Sequence, residues 1–104
     1  MKQKGYISEF ISGGRIVAHG QVKSLDKPFS LPDGIPFSIY VRPKAQTEQL
    51  DMTMNVKCWQ EKVFSDAPFT LNDWSPLAVE AIGADASILD RYDIFWGSGS
   101  AVEV

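Results

Sequence analysis

His19 and Cys58 are the only histidine and the only cysteine in this chain of 104 residues, so any nucleophile-and-base chemistry must be built around very few groups. Such chemistry needs a nucleophile, a base and an orienting group within hydrogen-bond reach. His19 lies in "VAHGQ" on a presumed strand, and no Gly-x-Ser-x-Gly elbow accompanies it. It reads as a surface or hydrogen-bonded structural histidine. One thiol excludes an internal disulfide and leaves too few soft ligands for zinc, so Cys58 reads as a buried or half-buried small side chain. With 13 acidic residues, pairs such as Asp90 with Asp93 or Glu61 with Asp66 are unavoidable and carry no specific acid–base signal. The carboxylates of "SDAPFTLNDW" and "GADASILD" do not follow the ligand spacing of a helix-flanked calcium loop; a simpler loop site stays open, because hard cations need only oxygen ligands. No catalytic residue, resident metal or cofactor is therefore expected.

The glycine-rich "WGSGS" near the end raises a different possibility, a phosphate cradle. That mechanism needs a helix N-terminus behind the glycines, and only Ala101 to Val104 follow the last small residues. The run is expected to be the exit from a last strand into a short tail. What remains is aromatic: 12% of the chain is Phe, Trp or Tyr, with 3 tryptophans. Trp59 follows Cys58, and strict alternation puts its ring on the polar face of its strand. Trp74 falls in a loop. Tyr92, Phe95 and Trp96 belong to "RYDIFWG". These five are the candidate interface anchors or ligand-stacking rings, although a tryptophan can equally cover the end of a core.

The elements that must position these rings have period two almost throughout. In "LDMTMNVKC", Leu50, Met52, Met54, Val56 and Cys58 share one face and Asp51, Thr53, Asn55 and Lys57 the other. "IPFSIYVR" places Ile35, Phe37, Ile39 and Val41 inward against Ser38, Tyr40 and Arg42, with Pro36 marking an edge position or a strand start. "GYISEFI" and "RIVAHGQV" read as the first two strands around an "SGG" break. "EKVF" reads as a short strand before the irregular "SDAPFTLNDW", where Pro68 and Asn72-Asp73 mark turns. "SPLAVEAIGA" reads as a strand with Leu77, Val79 and Ala81 on one side and Ala78, Glu80 and Ile82 on the other; Pro76 also permits a helix there. "DASILD" is the one short helical turn, near residues 85–90, with Asp85 as a possible cap. In the last strand, Tyr92, Ile94 and Trp96 face one way and Asp93 and Phe95 the other, so both faces are partly apolar. Such a strand is either central in its sheet or covered by another subunit.

The fold expected is all-β: a single β-sandwich or jelly-roll-like small barrel of about seven short, mainly antiparallel strands. One domain over residues 1–104 suits the length, with short tails at 1–4 and 98–104. A net charge of −3 without a basic cluster argues against nucleic acid, and the N-terminus has no apolar run to make a signal or a membrane anchor. Synthesis and residence in the cytoplasm, or packaging from there, are expected.

Two stretches, "LPDGIPFSIYVRPKAQTEQLDMTM" and "FTLNDWSPLAVEAIGADASILDRYDIFWGSG", together resemble small β-sandwich proteins of tailed phages and prophages. Those proteins decorate heads or form parts of tails and spikes, and the likeness spans roughly residues 31–100. The resemblance implies no catalytic residues. It implies symmetric self-assembly, a homo-oligomer in contact with other virion proteins. A glycan-binding sandwich using Trp59, Trp74 or Trp96 as a stacking platform is the alternative expectation.

Overall fold

The stretch with the cleanest alternation forms the longest strand. In the computed structural model, which describes residues 18–99, seven strands run in the order β1 (Ala18–Gln21), β2 (Phe29–Ser30), β3 (Ser38–Pro43), β4 (Asp51–Cys58), β5 (Ser65–Thr70), β6 (Val79–Ile82) and β7 (Tyr92–Ser98). Two short 3₁₀ turns, Pro32–Gly34 and Ala86–Asp90, are the only helical elements among the described residues. "GYISEFI", the "SGG" break and the tails 1–4 and 100–104 lie outside the described residues.

The strands form two antiparallel sheets, β1-β7-β3 and β2-β6-β4-β5. This is a sandwich rather than a closed barrel. Met52, Met54 and Val56 from β4 and Ala67 and Phe69 from β5 meet Ile39, Val41 and Ile94 of the other sheet in one buried cluster. Phe37 lies at its centre, fully buried, with the Phe29 ring edge-on at 5.6 Å. Leu50, expected to share the buried face of β4, lies one residue before the strand and is exposed, because the chain there is still in the loop from β3.

One side of the sandwich is tied shut. After β5 the chain crosses to the three-stranded sheet and runs along the free edge of β3. There the Asn72 amide donates to the Val41 carbonyl at 2.7 Å and the Ser75 amide to the Ile39 carbonyl at 2.8 Å. Phe37 and Val79 then exchange both backbone hydrogen bonds at 2.9 Å, joining the start of β3 to β6. This crossing explains a departure from simple alternation. Ser38, expected to face outward, is fully buried under the crossing chain, and its hydroxyl donates to the Ser75 carbonyl at 2.6 Å.

Other expectations are corrected by the same packing. "EKVF" is not a strand; the strand begins at Ser65, inside the stretch read as irregular. Pro68 sits within β5, where an edge strand tolerates the missing donor. Asn72 does mark a turn, with φ of 61°. "VEAI" is a strand and not a helix, but its faces are not those of plain alternation. The pairing of β4 with β6 slips by one residue between Lys57 and Cys58, leaving Glu80 as the extra residue. Val79 and Ile82 therefore both enter the core, while Glu80 turns out to meet Lys57 at 3.3 Å. Asp85 stands at the start of the second 3₁₀ turn but does not cap it; its carboxylate accepts the Ser87 hydroxyl at 2.6 Å. Ser98 is strand rather than tail and is fully buried, with its hydroxyl donating to the Pro36 carbonyl at 3.3 Å.

Candidate functional site

Strand β3, between β7 and the crossing chain, decides which aromatic residues meet. In the register of β3 against β7, Tyr40 stands opposite Phe95, and on the other side of β3 the crossing chain puts Trp74 opposite Tyr40. Residues directly opposite in a sheet share a face, so the three rings form a row across the outer surface. The Tyr40 centroid is 5.4 Å from Trp74 and 6.2 Å from Phe95, with ring planes inclined at 57° and 66°. Beside this row His19 and Ser38 flank Gly97, which contributes no side chain between them.

The result is a shallow, largely apolar pocket of about 260 Å³ lined by His19, Gly20, Tyr40, Trp74, Phe95 and Trp96. Arg42 stands at the Phe95 end of the row. Its guanidinium lies 5.1 Å from the centre of the Phe95 ring and donates to the Asp93 carboxylate at 3.0 Å, with Lys44 more distant at 3.9 Å. Asp73 lies at the opposite end of the row, its carboxylate accepting the Trp74 backbone amide at 2.9 Å.

The five rings singled out from sequence are thus dispersed. Trp74, Phe95 and Trp96 contribute to one pocket. Phe95 and Trp96 nevertheless fall on opposite faces of β7: Trp96 pairs with Ile39 and Gly20 and packs partly against the core. Its indole occupies the space that a side chain at position 20 would need, with the Nε1 atom 2.8 Å from where a Cβ would stand. Tyr92 is a core residue, buried to 7% exposure, and its hydroxyl donates to Gln49 Oε1 at 3.3 Å. Trp59 lies just past β4, in the hairpin loop to β5.

That loop is a second surface feature. Its backbone is pinned by the Trp59 amide donating to the Ala78 carbonyl at 2.8 Å and the Glu61 amide donating to the Cys58 carbonyl at 3.0 Å, with Gln60 left-handed at φ 70°. In this loop Trp59, Val63 and Phe64 are 40%, 68% and 41% exposed. Only Leu50 joins them as an exposed large hydrophobic residue among those described.

Sequence reasoning passed over Tyr40, His19 and Arg42 as site residues. Alternation did place Tyr40 and Arg42 on the outer face; the missing information was that β3 pairs with a strand over fifty residues away. Val63 and Phe64 were hidden by reading "EKVF" as a strand. Cys58 is half-buried. Among the described residues no cluster of three or more His, Cys, Asp or Glu side chains forms a metal site, and no helix is long and apolar enough to cross a membrane.

No family model matches the chain, and comparison with curated proteins and with solved structures finds no match to either.

Proposed function

We propose that this chain is a non-catalytic structural subunit of a phage- or prophage-type assembly, made in the cytoplasm and incorporated into a virion through contacts with copies of itself and neighbouring proteins. The observation that carries this reading is the hairpin tip, where Trp59, Val63 and Phe64 stand exposed on a hydrogen-bonded turn. Apolar side chains left in water gain by being covered, and aromatic anchors of this kind dominate interface energetics. Glu61 and Lys62 between them are exposed and supply a polar rim that fixes orientation. Light scattering over a concentration series tests it. The unaltered chain should form a defined oligomer that Trp59→Ser with Phe64→Ser reduces to monomer; a strict monomer at millimolar concentration would remove the self-assembly part of the reading.

A second reading, capture of a glycan, is favoured by one observation: Trp74, Tyr40 and Phe95 are gathered on one outer face beside a pocket. Aromatic faces stack on sugar rings, and tryptophan fluorescence titrated with a glycan panel should then shift for at least one member.

A further inference from the structure

We propose that the hairpin tip docks head-to-tail on a second copy of this chain, at the pocket between the loop after β3 and the end of the second 3₁₀ turn. The proposal rests on assembly through the tip and names the surface that receives it.

The two sites lie at opposite ends of one strand. β4 spans Asp51–Cys58, 8 residues that at about 3.3 Å each separate its ends by roughly 26 Å. Beyond Cys58 stand Trp59, Val63 and Phe64. Before Asp51 stands Leu50, 80% exposed, its carbonyl accepting the Leu71 amide at 3.0 Å. Together these are the exposed large hydrophobic residues among those described, so the apolar surface left in water is divided between the two ends of β4.

The receiving end is built around a pocket. Pro43 pairs with Tyr92 in the register of β3 on β7, and the Lys44 amide donates to the Arg91 carbonyl at 2.9 Å, fixing the start of the loop against the 3₁₀ turn. The Tyr92 hydroxyl, donating to Gln49 at 3.3 Å, holds the far end of the loop. Pro43, Lys44, Gln46, Asp90, Arg91 and Tyr92 contribute to a lining around about 280 Å³. That is just under the roughly 300–1,000 Å³ of ordinary small-molecule sites, and suits one inserted aromatic side chain better than an extended ligand.

Charge points to the tip as the occupant. The lining holds two cations, Lys44 and Arg91, and one acid, Asp90; Glu48 is on the same loop but not in the lining. Lys44 is only loosely engaged within its own chain, 3.9 Å from an Asp93 carboxylate that already accepts from Arg42 at 3.0 Å. The tip brings exposed Glu61 beside exposed Lys62, an acid for the cations and a base for Asp90. Apolar anchors within a rim of complementary charge make a specific contact. Tip against tip would bury the same rings but leave Leu50 and the pocket in water. A contact between two different surfaces is heterologous, and it closes into a ring where its rotation allows.

Complementation tests this. Trp59→Ser with Phe64→Ser removes the tip, and Leu50→Ser with Arg91→Glu removes the receiving end, all at exposed side chains. In light scattering each double variant alone should be monomeric. Their equimolar mixture should form a one-to-one dimer and nothing larger, because each keeps one working end. Lys44→Glu, on a side chain 48% exposed, should weaken assembly of the otherwise unaltered chain about tenfold, the scale of one charge pair lost at an interface. A receiving-end variant that still assembles, or a mixture that stays monomeric, would overturn the proposal and leave the tip reading in place. A strict monomer for the unaltered chain would remove the tip reading itself. Denaturation midpoints show whether each double variant is folded; if one is not, Lys44→Glu decides, and unchanged assembly there would overturn the proposal.

Discussion

The outer faces of the two sheets are made by the same backbone rule and yet differ in one respect: only one of them carries a row of aromatic rings among its polar residues. On the four-stranded sheet the outward positions include Asp51, Thr53, Asn55, Lys57, Asp66, Pro68 and Thr70, short or charged side chains for the most part, with local contacts such as Asn55 Nδ2 donating to Asp66 at 3.1 Å. On the three-stranded sheet the outward positions include Tyr40, Phe95 and, through the crossing chain, Trp74. A sheet needs only one apolar face to fold. Aromatic residues on the second face are therefore not demanded by the core, and their side of the molecule is where binding is to be sought.

The comparison can be broken most forcefully at what the sheets share. Phe37→Ala empties the centre of the common core and should cost about 3–5 kcal/mol, read as a collapse of the denaturation midpoint. If the loss were small, the two sheets would not depend on one core. Next come two glycines packed against a side chain of a neighbouring strand, Gly20 in β1 and Gly83 just past β6. A Cβ at Gly20 would stand 2.8 Å from the Trp96 ring, and one at Gly83 2.7 Å from Asn55 Oδ1 and 3.1 Å from the Asn55 carbonyl. Gly20→Ala and Gly83→Ala should each destabilise by about 1–3 kcal/mol through overpacking, but only the first should change tryptophan emission.

Ser38→Ala removes the hydroxyl that satisfies the Ser75 carbonyl under the crossing chain, an expected loss of about 1–2 kcal/mol in chemical denaturation. A smaller value would mean that the crossing is held by its backbone bonds alone. The smallest effect belongs to the rim. Arg42→Gln breaks an ion pair whose arginine is 56% exposed and should change stability by less than about 1 kcal/mol. A large drop in thermal midpoint would show that the aromatic face is structural after all.

How much of this was legible in the sequence follows from how local each cause is. Alternation along β3, β4 and β7 gave the buried faces of Phe37, Ile39, Val41, Met52, Met54, Val56 and Ile94 correctly, because a strand's faces depend on its own residues. The errors fall where a distant segment intervenes. Ser38 is buried by a chain that arrives from β5; Val79 and Ile82 share the core only because β6 bulges against β4; Pro68 is compatible with a strand only because β5 lies at an edge. The candidate site follows the same rule. Each ring of the row was visible singly, but what makes them a site is a pairing between segments far apart in sequence, which no window along the chain contains.

Pro68 has a consequence for how copies of this molecule can join. An edge strand with all its amides available is a template on which another chain can continue the sheet indefinitely. Proline deprives β5 of one such donor midway along its length, and the segment 71–75 occupies the neighbouring edge of β3. Strand addition is disfavoured at both of these edges of the described residues, so at this side of the molecule copies join more readily through side chains and loops, where contacts can be specific and can come to an end.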